Sequence, residues 1–456
     1  MTGPRILIVG GGYVGLYAAL QLQKTLDRTH AQITVVEPND YMTYAPFLPE
    51  AAAGSLDPRH VVVPLHQTLK KCKVIAGRVT AINHAKQRVD VEPIEGGGYS
   101  LEYDQLIVAG GSVARTMAIP GLAEVGIGLK SVHEAEYLRN RVLSRLVAAS
   151  STKEQAHRDK ALTFLVIGGG FAGIETLAEL EDLAKDACKT YPNINRADMR
   201  WILVEGSGRV LPEVSESMGQ YTLRQLAKRG IEVRLNTFVN SLSDGHVILS
   251  DGTEFCAGTV VWTAGVKANP LIASTDLPHD AQGRLTVDAT LRAQGLTNVW
   301  SGGDCAAVPD LSKPEGAFCS PSAQHAVRQA KLLGANLSRQ ILGKPLKAYR
   351  HKYVGSVASL GLYKGVADLY GIKLKGFPAW WIHRTYHVSR MPTFERKVRI
   401  IANWTIALFF RREIAALGQV QDPRAAFRDA ALATVVATSP KIPVARKPRT
   451  TKRVKL

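Results

Sequence analysis

Cysteine is scarce in this 456-residue sequence: Cys72, Cys188, Cys256, Cys305 and Cys319 are scattered, with no CxxC pair and no metal-ligand spacing. That pattern excludes a disulfide framework, sets the metal expectation at none, and points to a reducing compartment. No window reaches the ~18–20 uninterrupted apolar residues needed to span a bilayer. The first expected strand begins near Arg5, leaving no room for a signal or transit peptide. Acids are outnumbered, 39 against 57 lysines and arginines, for a formal charge of +18. The excess is uneven. Residues 439–456 carry Lys441, Arg446, Lys447, Arg449, Lys452, Arg453 and Lys455 and no acid. Broken by prolines and lacking apolar periodicity, this tail is expected to be disordered, either simply solvated or drawn to an anionic lipid or nucleic acid.

Glycine, by contrast, is plentiful, at 40 residues. Two stretches use it in the same way: IVGGGYVG at residues 8–15 and VIGGGFAGIE at 166–175. Gly10, Gly12 and Gly15 follow the apolar strand Arg5–Val9 and lead into a helix, VGLYAALQLQKTL. Such glycines permit the tight turn, a close backbone approach to a pyrophosphate, and helix packing, while the helix N-terminus presents free N–H groups to phosphate. The next strand, Ile33–Val36, ends at Glu37, an acceptor for ribose hydroxyls. The second copy repeats the order: strand Thr163–Ile167, then Gly168, Gly170 and Gly173, then a helix, then strand Trp201–Val204 and Glu205. Glu37 lies 27 residues beyond Gly10 and Glu205 lies 37 beyond Gly168, the difference fitting an inserted loop at 188–198. An acid at this place repels the 2′-phosphate of NADP, so NADH is the expected substrate. Two nucleotide folds in one chain imply FAD in one and NADH in the other, brought to the ~3–3.5 Å that hydride transfer requires. The competing reading, glycines that serve only strand–helix packing, would have to hold twice.

From about residue 5 to 420 the chain resembles the two-dinucleotide-binding-domain flavoprotein reductases, and more closely the type II NADH dehydrogenases. Besides the turns, the likeness rests on YAPFLPEAAAGSL at 44–56, YDQLIVAGGS at 103–112, TVVWTAGVKANPL at 259–271 and VWSGGDCAAVPD at 299–310. The resemblance implies that Asp304 binds the ribityl chain of FAD. It brings Ala109 and Gly110 close to FAD, and puts Gly265 near the nicotinamide and Glu175 at the nicotinamide–flavin junction. A helix-N-terminal acid favoured by the macrodipole is the other reading of Glu175. Two departures stand out. The usual ATG is AGG here, with Gly110 in place of threonine. The quinone-site motif AQxAxQ appears as AQHAVR, so Gln324 is kept and Arg328, followed by Gln329, replaces the second glutamine.

No cysteine lies between residues 38 and 56, where disulfide reductases and peroxidases of this class carry theirs. Cys305 beside Asp304 reads as a small buried residue. The acceptor is therefore expected to meet the flavin directly. Residues 377–410 hold Phe377, Trp380, Trp381, Tyr386, Phe394, Trp404, Phe409 and Phe410, and IIANWTIALFF at 400–410 is bracketed by Arg396, Lys397, Arg399, Arg411 and Arg412. Aromatics beside cations suit a headgroup layer, with a dimer interface or core helix as the alternative. A lipid-facing mouth would admit a quinone, and Gln324 is the expected hydrogen-bond partner for its carbonyl; His325 and Arg328 are further candidates.

The expected fold is α/β, with two Rossmann-like dinucleotide-binding domains and a C-terminal membrane-association domain. FAD takes 1–150 and 273–340; NADH takes 151–272, reached through the polar linker ASSTKEQAHRDK; the membrane-association domain covers 341–438 and the basic tail 439–456. The expected reaction is NADH:quinone oxidoreduction at the cytoplasmic face of the cell membrane by a peripheral, non-pumping enzyme. The expected partners are NADH, a membrane quinone and the bilayer surface; a homodimer is left open, and no nucleic acid is expected. Soluble reduction of an iron–sulfur carrier is the enzyme alternative, and a nucleic-acid-binding flavoprotein the alternative from another class.

Overall fold

The computed structural model describes residues 3–26, 30–314, 316–351, 355–410 and 412–417, together with Arg428. The run RILIV is buried from Ile6 to Val9, as an inner strand of a parallel sheet covered on both faces should be. It lies in a seven-stranded sheet ordered Val299–Ser301, Gln105–Val108, Arg5–Val9, Gln32–Glu37, Lys73–Asn83, Arg88–Pro93, Tyr99–Glu102. The first five strands are parallel and the last two extend the sheet antiparallel. Val299–Ser301 comes from far downstream, so the first nucleotide fold is completed by a returning segment. Helix α1 (Tyr13–Thr25) follows the first strand, and the YAPFLPE stretch runs through a 3-10 turn (Ala45–Phe47) into the short α2 (Leu48–Ala52).

The second sheet has five parallel strands, ordered Gly126–Ile127, Thr259–Trp262, Thr163–Ile167, Arg200–Val204, Ile231–Arg234. Its edge strand, 126–127, lies upstream of residue 151. The expected polar linker is largely helical. Helix α3 (Val132–Ser151) runs into it and α4 (Gln155–Ala161) fills most of the rest. The reason is helical burial: Leu138, Val142, Leu146 and Ala149 form one buried stripe, opened by a capping box between Ser131 and Glu134. Helix α5 (Phe171–Cys188) follows the second glycine turn. Helix α6 (Ala323–Ile341) lies on α1, and Gly334 faces Ala18 so closely that a Cβ would stand 2.8 Å from its carbonyl oxygen.

Beyond α6 a three-stranded antiparallel sheet (Gly355–Ser359, Gly365–Leu369, Ile372–Lys375) precedes α7 (Phe377–Arg390) and α8 (Phe394–Phe409). Helix α8 begins six residues before the apolar run, because Glu395, Arg396, Lys397 and Arg399 extend it and Glu395 pairs with Arg399 at 2.7 Å one turn on. Its face against the protein buries Ile400, while Phe394 and Phe409 are 81% and 78% exposed. Sixteen residues make a helix of about 24 Å, short of a ~30 Å hydrocarbon core. No described helix is long and apolar enough to cross a membrane. The tail 439–456 lies outside the described residues.

Candidate active site

The two glycine turns superimpose in their chemistry. Gly10 has φ +103° and Gly168 φ +110°, and their amides donate to Val36 O and Val204 O, each at 2.8 Å. A Cβ on either would strike backbone, 2.4 Å from Ala109 O or 2.6 Å from Thr263 O. The third glycines are tighter still: a Cβ at Gly15 or Gly173 would lie 1.8 Å from the carbonyl oxygen of Gly10 or Gly168. Only the second glycines differ. A Cβ on Gly12 or Gly170 meets nothing within 4 Å, although each is the N-cap of its helix. Gly12 and Gly170 therefore border open space, over helix N-termini whose first amides have no side-chain cap, which fits a pyrophosphate.

The acids are duplicated too. Glu37 Oε2 accepts the Gly11 N–H at 2.6 Å and Oε1 accepts the Asn39 N–H at 3.2 Å; Glu205 Oε2 accepts the Gly169 N–H at 2.5 Å and Oε1 the Ser207 N–H at 2.7 Å. Each carboxylate ties its turn to the strand end. Burial raises the pKa of Glu37, and the Gly11 N–H opposes the shift.

Where the chain crosses between the two sheets, Ser112–Ala114 pairs antiparallel with Val266–Ala268. Asn269 Nδ2 donates to Gly110 O at 3.2 Å; a Cβ at Gly110 would make only ordinary contact with Asn269, so a larger residue is sterically admissible there. Gly265 has φ +97° and open space around it. Asp304 Oδ2 accepts from Ser112 Oγ at 2.6 Å, and Ser112 Oγ in turn accepts from Lys130 Nζ at 2.6 Å. Burial lowers the Lys130 pKa, while Asp304 and Glu134 favour its charge. Cys305 is fully buried and its thiol pKa is raised by that burial, which suits packing and not a thiolate relay.

Glu175, on α5, does not cap its helix. Its Oε1 accepts the Ser359 N–H at 2.9 Å, and His383 Nε2 of α7 lies 2.9 Å away. The ring N–H direction misses that carboxylate, so both ring nitrogens of His383 are buried without a hydrogen-bond partner among the described residues. Burial pushes Glu175 up to about 7, opposed by the Ser359 N–H, and pushes His383 and His387 down to about 4 and about 3. The pair is thus a carboxyl poised near neutrality beside neutral imidazoles, and not an ion pair. The rings of His383 and His387 are 4.6 Å apart.

Gln324 sits in the first turn of α6. Its Oε1 accepts from Arg328 Nη1 at 3.0 Å and lies 3.2 Å from His351 Nε2; its Nε2 reaches Gly355 O at a long 3.4 Å. His325 Nδ1 is 2.9 Å from the Tyr349 hydroxyl. Burial and the Arg328 charge together push His351 down to about 4. Gln329 is buried and accepts the Gly303 N–H at 2.7 Å beside Asp304, so α6 carries a glutamine into the nucleotide fold one position after Arg328.

Residues 4–330 match the model of the family described as pyridine nucleotide-disulphide oxidoreductase. A type II NADH:quinone oxidoreductase of Staphylococcus aureus is 30% identical over 377 residues, covering 82% of this chain and 91% of that protein. The type II NADH:quinone oxidoreductase Ndh of Mycobacterium tuberculosis is 30% identical over 423 residues, covering 90% and 89%. The chain belongs to the type II NADH:quinone oxidoreductases. The solved structure of NDH2 from Plasmodium falciparum in complex with NADH shares the fold, with a TM-score of 0.83 at 20% identity over 90% of this chain and 99% of that one.

Seen within this type II oxidoreductase family, the structure gathers Glu175 with His383 and His387, and Asp304 with Ser112 and Lys130, whereas Gln324 keeps company with Arg328 and His351. Sequence reasoning missed Glu50, Lys130, His383 and Arg384. Glu50 lay inside the quoted stretch YAPFLPEAAAGSL without being singled out, His383 and Arg384 had a signal only in lying inside the aromatic segment, and nothing marked Lys130.

Proposed function

We propose that the chain is a flavoenzyme that oxidises NADH and reduces a quinone at a membrane surface, with FAD at the first glycine turn and NADH at the second. The observation that carries this reading is the point-for-point duplication of the turn, including the open space beside Gly12 and Gly170 and the acid bound to the middle glycine amide. When bound, FAD would supply the two-electron chemistry, taking a hydride from NADH and returning two electrons to a quinone. Gly10, Gly12 and Gly15 with the N-terminus of α1 hold one pyrophosphate; Gly168, Gly170 and Gly173 with α5 hold the other.

Glu37 and Glu205 each retain lone pairs for ribose hydroxyls after receiving two amides. Glu205 repels a 2′-phosphate and so selects NADH. Asp304, oriented by Ser112 and Lys130, takes a flavin hydroxyl, while Ala109, Gly110 and Gly265 line the approach through their backbone. Glu175, pushed up to about 7 by burial, can hold or release a proton near neutral pH, and neutral His383 lies beside it with Nε2 2.9 Å away. Gln324, its carboxamide oxygen bound by Arg328, offers its Nε2–H to a quinone carbonyl.

Helices α7 and α8 form the membrane-association part. Their exposed Phe377, Trp381, Phe394, Phe409 and Phe410 enter the headgroup layer of the cytoplasmic leaflet, with flanking arginines at its surface. The domain limits at 150, 272, 340 and 438 remain part of this reading. The test is an anaerobic one: reduce the bound flavin with NADH or NADPH, then add a short-chain quinone and follow flavin absorbance. Fast bleaching by NADH and prompt recovery with quinone support the function. Bleaching without recovery removes the quinone from it.

A further inference from the structure

A cavity of about 400 Å³ lies between the segment Gln67–Lys70 of the first nucleotide fold and the start of α8, lined by Gln67, Thr68, Lys70, Thr393, Glu395 and Arg396. Its α8 wall carries two unmet polar groups. Thr393 Oγ1 and Arg396 Nε are buried with no hydrogen-bond partner among the described residues. Thr393 is the N-cap of α8 yet its side chain accepts nothing from the helix, so the first-turn amides of a 16-residue helix go without a side-chain cap. Neither Lys70 nor Arg396 is paired with a carboxylate among the described residues. The one acid in the lining, Glu395, is bound to Arg399 at 2.7 Å, which holds it ionised with a smaller contribution from Arg396. Unmet donors, two cations outside any ion pair and a positive helix end around a concave space call for a compact anion with several acceptor oxygens.

We propose that this cavity is a phosphate-binding site, which takes the phosphate of an anionic phospholipid headgroup or a free phosphate. The lipid source rests on the reading that α8 lies in the membrane surface. Phe394, 81% exposed, and Val398 and Ile401, each 49% exposed, leave the same helix from the turns beside the cavity, so acyl chains and phosphate would be met together.

The experiment uses the full-length FAD-loaded protein. Binding to vesicles whose charge comes from phosphatidylglycerol is compared with binding to vesicles charged equally by oleate, which has no phosphate. Inorganic phosphate is titrated separately by calorimetry. The variants are Lys70→Ala/Arg396→Ala and, as an exposed single change that leaves packing alone, Lys70→Gln; Lys452→Ala/Lys455→Ala removes equal charge from the tail. Circular-dichroism melting checks the fold. A loss of at least about fivefold on phosphatidylglycerol vesicles, with oleate vesicles and the tail variant little changed, establishes the lipid phosphate. Loss of the inorganic-phosphate signal with vesicle binding intact establishes a free phosphate instead. Equal losses on both vesicle types without a phosphate signal, or no loss in either assay, overturn the site. If the unmodified protein ignores all vesicles but binds phosphate through Lys70, the membrane reading fails and the site stands. If it floats with both vesicle types and neither variant matters, the reverse holds.

Discussion

Trp404 Nε1 donates to Glu50 Oε2 at 2.9 Å, joining α8 to α2 across most of the length of the chain. Arg384 of α7 reaches the same oxygen at 3.0 Å, and its guanidinium lies between the Trp380 and Trp404 rings, 4.4 and 4.7 Å from their centroids. Glu50 is 2% exposed. A buried carboxylate thus fastens both C-terminal helices to the first nucleotide fold. Replacing Arg384 with Met keeps the stem but leaves that charge unpaired, with an expected loss of about 3–5 kcal/mol. Trp404→Phe removes one hydrogen bond to a charged group, with an expected loss of about 1.5–3 kcal/mol. Denaturant unfolding of the two variants checks the order; equal stability in both would refute the pairing.

Glu205 makes a second prediction, on coenzyme choice. Glu205→Gln keeps an acceptor for one of the Gly169 and Ser207 amides, turns an NH2 toward the other, and removes the negative charge. The ratio of kcat/KM for NADPH over NADH is expected to rise about tenfold, on the order of 1.4 kcal/mol. Steady-state kinetics with both coenzymes measures it, and an unchanged ratio would show that the carboxylate does not face the 2′ position.

Glu175 carries a pH signature whose sign follows from its environment. Burial raises its folded pKa to about 7 from 4.5, so between those values the folded state holds more protons than the unfolded chain. The stability contribution of the protonated group is full below 4.5 and declines as pH rises toward 7. His383 and His387, pushed down to about 4 and about 3, act oppositely below 6.5. The contribution of Glu175 is therefore isolated by difference. Unfolding free energies of Glu175→Gln, less those of the unmodified protein, should rise between pH 5 and 7; a flat difference contradicts the buried, protonated carboxyl. If Glu175 also passes a proton, quinone turnover falls in this variant while anaerobic flavin reduction by NADH persists.

Arg328 divides the two half-reactions. Arg328→Gln restores the family glutamine and frees Gln324 Oε1 from its guanidinium partner. The expected result is a change of severalfold, ~1 kcal/mol, in KM for quinone with flavin bleaching by NADH unaltered. Stopped-flow reduction and steady-state quinone titrations separate the two, and an effect confined to NADH would move Arg328 away from the acceptor.

The nucleotide folds were legible because their grammar is local. Strand, turn, helix and acid lie within about 40 residues, and the third glycine of each turn is compelled by a carbonyl only five residues away, a constraint every such turn must meet. The start of α8 and the helices over the expected polar linker were not legible, since charged surface residues such as Glu395 and Arg399 continue a helix that hydrophobicity alone would begin later. The buried polar pairings inside the protein were still less so. Glu50 with Arg384 and Glu175 with His383 meet only after separate segments pack, and burial shifts Glu175 up and His383 down. By itself the sequence determined two dinucleotide turns, the acid that closes each, and the absence of a cysteine relay. Only the tertiary structure decided which carboxyls are buried and which of them, like Glu175, is pushed near neutrality, because desolvation and through-space pairing depend on residues hundreds of positions apart.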